Sequence, residues 1–218
     1  MARMDSLEAV ETLDPFMLRR HADERSYLWF RRLIEPPCIL ALRRLVFERI
    51  QDGNSDPVRL QCEILPLPEF DAIRRHPVLF GVLEALFGGT VEAERGDVLR
   101  VVEPHAKPTP PHQDACYTRS PAVMWSAWIP LGDCPLSLGP LAVWPGSHRL
   151  GLLPHGAAGL AEDSLASARW SASGMACGDL LLLHHYTAHR SLPNQASEPR
   201  LSIDCRYVAA AQKGLAQT

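Results

Sequence analysis

The chain contains no CxxC pair, no apolar run long enough to span a membrane and no block of like charge. Its six cysteines are scattered, and the opening residues, Met1 to Asp5, contain no apolar run typical of a signal peptide. We therefore expect a cytoplasmic protein whose thiols stay reduced. A formal net charge of −3 without a basic stripe argues against nucleic acid and membrane surfaces as partners.

The N-terminal part of the chain predicts helices. Apolar residues recur at three- and four-residue spacing over residues 7–18 and 27–50. A further helical stretch is predicted over residues 68–86, divided at Pro77 and ended by Gly88. With 218 residues in all, the chain is long enough to bury a sizeable core in one domain.

The pattern changes near residue 90, where short β-favouring runs begin to alternate with proline and glycine. Many short strands without helices between them favour two packed β-sheets over a parallel α/β sheet. The predicted fold is mainly β: a cupin-like double-stranded β-helix, or jelly roll, over residues 93–210, with a helical layer over residues 1–92, in a single domain over residues 1–218. The predicted strands lie at residues 98–102, 123–129, 141–144, 180–184 and 201–208.

Two histidines and an aspartate form the most informative pattern. His112 and Asp114 are two residues apart, so on a strand their side chains would point to the same face. A third ligand must come from a distant segment, and we favour His189, at the end of a predicted strand, over His184 and His185. Two imidazoles and one carboxylate form the facial set that binds Fe(II) and leaves coordination positions open.

A hydrolytic zinc site is the chief rival, because three protein ligands and one water position are also typical of catalytic zinc. The chain has no HExxH pattern and no glutamate placed as an obvious general base. Zinc hydrolysis therefore ranks below iron-dependent oxygenation.

Between residues 95 and 210 the chain carries an ordered series of short motifs. They are Pro111-His112-Gln113-Asp114, Trp128-Ile129-Pro130-Leu131, Gly139-Pro140-Leu141, Pro145-Gly146-Ser147-His148, Gly178-Asp179-Leu180, His189-Arg190-Ser191, Pro193-Asn194, Arg200-Leu201-Ser202 and Arg206-Tyr207. In this order they resemble the phytanoyl-CoA dioxygenase family of Fe(II)/2-oxoglutarate-dependent oxygenases. Each motif is weak alone, and their order is specific.

The resemblance implies roles for five residues. His112, Asp114 and His189 would bind the iron, and the interval from His189 to Arg200 favours His189 as the third ligand. Arg200 would pair with the distal carboxylate of 2-oxoglutarate, since guanidinium binds carboxylate in a bidentate manner that lysine does not reproduce. Ser191 would hydrogen-bond the same group.

Further contacts follow from the same resemblance. Gln113 would contact the other end of the cosubstrate or position the metal ligands. Arg100 is a second candidate contact for cosubstrate or substrate. Tyr117, Arg119 and Trp128 are candidate lining residues of a substrate pocket, and Trp128 is also a candidate core residue.

The implied chemistry uses Fe(II), 2-oxoglutarate and O2 to hydroxylate a C–H bond of a small-molecule substrate, with release of succinate and CO2. Halogenation is not expected, because related halogenases carry a small residue where Asp114 stands. We expect a monomer or homodimer without nucleic-acid or membrane partners. The alternatives are a cupin-type metal enzyme that does not use 2-oxoglutarate and a non-catalytic small-molecule-binding protein.

Overall fold

The computed structural model describes residues 1–7, 14–54, 56–118, 122–157 and 159–213. Five helices come before residue 88, and each has a proline in its first turn, where the missing N–H needs no partner. These helices are α1 (Pro15–Arg25), α2 (Pro36–Gln51), α3 (Pro57–Ile64), α4 (Pro68–Arg74) and α5 (Pro77–Phe87). The division at Pro77 and the left-handed glycine at Gly88 confirm the predicted boundaries.

The described residues contain twelve strands. They are β1 (Ser6–Leu7), β2 (Tyr27–Phe30), β3 (Val91–Ala93), β4 (Val98–Val102), β5 (Met124–Pro130), β6 (Leu141–Val143), β7 (His155–Gly156), β8 (Gly159–Leu160), β9 (Ser171–Ala172), β10 (Leu180–His184), β11 (His189–Ser191) and β12 (Arg200–Ala209). Two short helices, α6 (Ala115–Thr118) and α7 (Glu162–Leu165), lie among them.

The strands form one large sheet and one small sheet. The large sheet has seven strands in the order β1-β2-β10-β5-β12-β3, with β4 also paired to β12. The small sheet has the order β11-β6-β9, and β7 and β8 form a separate hairpin. Two sheets covered by helices on one side confirm the predicted jelly roll with a helical layer.

Two predictions of helix were wrong near the N-terminus. The segment Tyr27–Phe30 is a strand, β2, which pairs with β1 and β10, and its four side chains are buried alternately in the two cores on either face of the sheet. Leu7 also lies in a strand, and residues 8–13 of the same predicted helix fall outside the described residues. A short, fully buried strand shows the same continuous apolar pattern as a buried helix, so spacing alone does not separate them.

Alternate side chains of the large sheet enter two different cores. On β10, Leu180 and Leu182 pack with the helices, whereas Leu181 and Leu183 face the small sheet. The helix-side core also contains apolar residues of α1 to α5, and the second core fills the space between the sheets. Because one core joins the helices to the large sheet, we propose that residues 1–218 form a single domain.

The face of β12 toward the small sheet is polar. Leu201 and Ile203 belong to the helix-side core, so the residues that alternate with them point between the sheets. These residues are Arg200, Ser202, Asp204 and Arg206. No helix within the described residues is long and apolar enough to cross a membrane.

Candidate metal centre

His112 and His189 lie on neighbouring backbone segments that bond to each other. The N–H of each residue donates to the carbonyl of the other, at 2.9 Å in both directions, as an isolated antiparallel bridge. His112 therefore lies outside any regular strand, although the spacing of His112 and Asp114 had been interpreted as that of a strand. Asp114 lies in the turn that opens α6, and its carbonyl accepts from the N–H groups of Tyr117 and Thr118.

Three potential ligand atoms converge at this bridge. The Oδ1 atom of Asp114 lies 3.7 Å from Nε2 of His112 and 3.8 Å from Nε2 of His189. The three ligand atoms lie within 4.8 Å of one another, and no other His, Cys, Asp or Glu group of this kind occurs among the described residues. His184 and His185, the alternatives for the third position, are thus not part of such a group.

The imidazole rings are oriented by backbone carbonyls. Nδ1 of His112 lies 2.9 Å from the carbonyl oxygen of Pro110, and Nδ1 of His189 lies 2.9 Å from that of Thr187. A proton on Nδ1 that donates to each carbonyl leaves the lone pair of Nε2 facing the aspartate. Burial lowers the pKa of His112 to about 3, so its ring is neutral, the form that binds metals.

The carboxylate of Asp114 is held in a similar way. The hydroxyl of Ser126, on β5, donates to Oδ2 of Asp114 at 2.7 Å. Burial raises the pKa of Asp114, but electrostatic interactions with its neighbours, His189 and Arg206 first among them, outweigh burial and lower this pKa below its ordinary value. The residue is therefore ionised, with Oδ1 directed to the two histidines.

Gln113 points away from the three ligand atoms. Its Nε2 donates to the carbonyls of Gly151 and Tyr186, at 2.9 and 2.7 Å, and its Oε1 accepts from the N–H of Leu153 at 2.8 Å. The side chain is fully buried, and it ties the metal-ligand segment to two other loops. This geometry favours the positioning role over contact with a cosubstrate.

Arg200 lies between the sheets and is only 2 % exposed. Its Nη1 donates to the carbonyl of Gly139 at 2.8 Å, while Nε and Nη2 have no hydrogen-bond partner. The hydroxyl of Ser202 and the indole N–H of Trp128 are buried nearby without partners, and the guanidinium carbon lies 5.5 Å from the Trp128 ring centre. Several buried N–H and O–H groups without acceptors in one place are rare in proteins, and they indicate a site for an anion.

A small pocket of about 20 Å³ opens over the three ligand atoms. Ser191 and Arg100, both singled out from the sequence, line it, and Arg100 forms an ion pair with Asp204 at 2.7 Å. Four further lining residues had no role predicted from the sequence: Thr109, Leu141, Asp204 and Arg206. The signal that could have found the last two is alternation on β12, which places them on the same face as Arg200.

The three residues proposed to line a substrate pocket fall in different places. Tyr117 is 62 % exposed, and its ring lies edge-on to His112 with 5.6 Å between centres. Trp128 is fully buried in the core between the sheets. Arg119 lies outside the described residues.

This chain is similar to several known enzymes. It is 27 % identical over 229 residues to the 1-deoxypentalenic acid 11-beta-hydroxylase of Streptomyces exfoliatus, a match that covers 88 % of this chain and 81 % of that enzyme. Two solved structures share the fold. One is the epimerase SnoN in complex with Fe3+, alpha ketoglutarate and nogalamycin RO, with a TM-score of 0.73 at 20 % identity, covering 90 % of this chain and 85 % of that one.

The second is SnoK, a non-heme alpha ketoglutarate dependent carbocyclase from nogalamycin biosynthesis. Its TM-score is also 0.73, at 22 % identity, covering 92 % of this chain and 85 % of that one. The sequence profile of the phytanoyl-CoA dioxygenase (PhyH) family matches residues 52–202, which include all three potential metal ligands and Arg200. The chain belongs to the phytanoyl-CoA dioxygenase family.

Proposed function

We propose that this protein is a non-haem Fe(II)/2-oxoglutarate-dependent oxygenase that hydroxylates a C–H bond of a small molecule. The observations that carry the proposal are a metal-ligand group at one pocket and an arginine buried between the sheets without an anionic partner. Three ligand atoms within 4.8 Å of one another suit one metal ion, and a buried arginine without an anionic partner suits a carboxylate cosubstrate.

The metal would be held by Nε2 of His112, Nε2 of His189 and Oδ1 of Asp114. Two neutral nitrogen ligands and one anionic oxygen are the donor set of the Fe(II) facial triad. The carbonyls of Pro110 and Thr187 fix both rings, and such outer contacts raise metal affinity by holding the ligands in place.

The cosubstrate would be held by Arg200 at its distal carboxylate. Nε and Nη2 remain available on the guanidinium, and the hydroxyl of Ser202 and the indole N–H of Trp128 offer two further donors. Ser191 lines the pocket between this group and the metal ligands, where its hydroxyl would meet the same cosubstrate. The orphaned donors therefore fit 2-oxoglutarate better than an uncharged ligand.

When bound, Fe(II), 2-oxoglutarate and O2 supply an oxidant strong enough to break a C–H bond, with succinate and CO2 as by-products. The chain itself binds and orients these groups. Leu141, which lines the pocket, would restrict water at the metal, and Asp114 would occupy the place that a small residue leaves for a halide in related halogenases. This is why we propose hydroxylation as the outcome, although the fold also serves an epimerase and a carbocyclase.

The proposed reaction is tested by anaerobic titration of the purified protein with Fe(II) and 2-oxoglutarate. We expect a visible charge-transfer band that is absent in His189→Ala and present in His184→Ala, the matched control. Aerobic turnover with substrate should then release succinate. A wild-type protein that binds neither component by calorimetry excludes the proposal.

The same experiment separates two alternatives. A cupin-type enzyme that does not use 2-oxoglutarate would bind metal and turn over equally well without the cosubstrate. A non-catalytic binding protein on this scaffold would release no succinate with any substrate.

We place the reaction in the cytoplasm and expect a monomer or homodimer.

A further inference from the structure

Arg206 is a second guanidinium at the metal pocket, besides Arg100. It lies on the inner face of β12, six strand positions after Arg200, so the two Cα atoms are about 20 Å apart. Arg206 lines the pocket and, through its charge, lowers the pKa of Asp114. Arg200 does not line this pocket, so Arg206 is separate from the residue proposed to bind the cosubstrate.

No carboxylate pairs with Arg206 among the described residues. The two other acidic groups near it are already paired: Asp97 with Arg74 and Asp204 with Arg100, each at 2.7 Å. The Nε atom of Arg206 is buried without a hydrogen-bond partner. The side chain is held in place by its close approach to the backbone at residue 96, where a Cβ would lie only 2.4 Å from its Nη1 atom.

The charge of Arg206 also stays unmatched when the proposed cofactors are added. Fe(II) and doubly ionised 2-oxoglutarate carry equal and opposite charges, and the charge of Arg200 offsets that of Asp114. Arg100 is offset by Asp204. One positive charge at the pocket, that of Arg206, then remains for the substrate to neutralise.

The pocket continues into a larger, open groove between α3 and β4. The groove has a volume of about 370 Å³, and Arg100 and Thr109 line both it and the metal pocket. Apart from these two residues and Gln61, its lining is apolar. Val58, on α3, is 71 % exposed and contributes apolar surface to this groove.

We propose that the substrate is a hydrocarbon-rich carboxylic acid whose carboxylate pairs with Arg206 and whose apolar body lies in the groove between α3 and β4. This inference rests on the proposed oxygenase function and deepens it. A carboxylate matches the single uncompensated charge, and its fork geometry suits guanidinium. The continuity of pocket and groove through Arg100 and Thr109 lets one molecule occupy both while it passes the metal ligands.

The test measures ligand binding to the anaerobic protein loaded with Fe(II) and 2-oxoglutarate. The probes are saturated monocarboxylic acids, linear and polycyclic, each compared with its primary amide, and the readout is the shift of the charge-transfer band on titration. We expect the preferred acid to bind at least about tenfold more tightly than its amide, the loss typical of a broken charge-assisted pair.

Arg206→Gln should reduce this acid-to-amide ratio to about one, while 2-oxoglutarate still binds and the charge-transfer band still forms. Arg206→Lys should restore part of the preference, since it keeps the charge. Arg149→Gln, a change at an exposed ion pair with Asp23, is the control and should leave the ratio as in wild type.

Val58→Asp tests the groove. It should weaken binding of the acid by about tenfold, because it places a like charge against the ligand and removes apolar surface. Val78→Asp is a matched control, because Val78 also follows a proline at the start of a helix and is partly exposed, and it does not line the groove.

The two hypotheses fail in different ways. Absence of the charge-transfer band in wild type overturns the proposed function. A normal band without acid preference, or a preference that survives Arg206→Gln, overturns the assignment of Arg206. Loss of 2-oxoglutarate binding in Arg206→Gln also overturns it, since the residue would then bind the cosubstrate. Equal effects of Val58→Asp and Val78→Asp overturn the assignment of the groove.

Discussion

Ser126 holds one oxygen of Asp114 and leaves the other free. The hydroxyl on β5 donates to Oδ2 at 2.7 Å, while Oδ1 faces the Nε2 atoms of His112 and His189. The large sheet thus fixes the orientation of a ligand that lies in a turn. A carboxylate held by one oxygen binds a metal through the other, which keeps further coordination positions open.

Ser126→Ala should therefore weaken Fe(II) binding without preventing folding. Loss of an outer-shell hydrogen bond to a metal ligand typically lowers affinity by about ten- to a hundredfold. Anaerobic calorimetry with Fe(II) measures the effect. Ser173→Ala is the control, because that buried hydroxyl accepts from the N–H of Met4, away from the site. Equal Fe(II) affinity in the two variants would show that Ser126 does not position Asp114.

Arg200→Ala should abolish tight 2-oxoglutarate binding and leave Fe(II) binding intact. We expect affinity for the cosubstrate to fall by more than about tenfold, and Arg200→Lys to recover little of it, because lysine does not reproduce the fork geometry. The control is Arg43→Ala, since Arg43 also donates to a backbone carbonyl, that of Leu131 at 2.8 Å. Loss of iron in Arg200→Ala would mean that the residue is structural.

Gly139→Ala should damage the cosubstrate site through the backbone. The residue has φ +72°, and an added Cβ would lie 2.3 Å from the carbonyl oxygen of Leu192, so the loop must move. Since the carbonyl of Gly139 accepts from Arg200, we expect a loss of stability of about 1–3 kcal/mol together with weaker 2-oxoglutarate binding.

Gly53→Ala is the matched control for this change. Gly53 has φ +91° and no atom within 4 Å of the added Cβ, so only the backbone strain applies. Denaturant unfolding and cosubstrate titration of both variants separate strain from the effect on Arg200. If Gly139→Ala binds 2-oxoglutarate as wild type does, the contact between Gly139 and Arg200 does not matter for binding.

Gln113→Ala should lower stability by about 2–4 kcal/mol, because it leaves three buried backbone groups without their hydrogen bonds. Gln61→Ala removes a single bond, to the N–H of Leu99, and should cost about 1 kcal/mol. Urea unfolding of the metal-free protein measures both. Similar losses in the two variants would contradict the positioning role of Gln113.

His184 should make the protein less stable in acid. Burial lowers the pKa of His184 to about 3, well below its ordinary value of 6.5, so the unfolded chain takes up a proton more readily than the folded one. Its contribution to stability is complete above about pH 6.5 and falls as the pH drops toward 3.

His184→Asn keeps an acceptor for the N–H of Tyr186 and removes the titrating ring. Between about pH 7.5 and pH 5, wild type should lose up to about 2 kcal/mol more unfolding free energy than the variant. Parallel pH profiles of stability would show that His184 does not titrate in this range.

The sequence predicted what local patterns encode. The helix start at Pro68, the division at Pro77, the stop at Gly88 and the strand runs after residue 90 all depend on neighbouring residues, and the structure has them where expected. The sequence did not predict α3 at Pro57–Ile64, nor β2, because the burial of Tyr27–Phe30 results from pairing with β10, a segment distant in the chain. The local spacing of apolar residues does not indicate such a distant pairing partner.

The candidate site was also predicted only in part from the sequence. His112, Asp114 and His189 were found from residue type and order, and the structure brings their ligand atoms together. Arg206 was missed because only the direction of β12 puts it at the pocket, and Gln113 was assigned two roles because nothing local shows where its amide points. The direction in which a side chain points depends on the assembled fold.

The backbone bridge between His112 and His189 makes the two histidine ligands one unit. The two segments are distant in the chain and are joined by a pair of backbone hydrogen bonds. An insertion or deletion inside either segment would shift this pairing and displace both imidazoles together. The length of the chain within the bridge is therefore more tightly constrained than the length of the loops that lead to it.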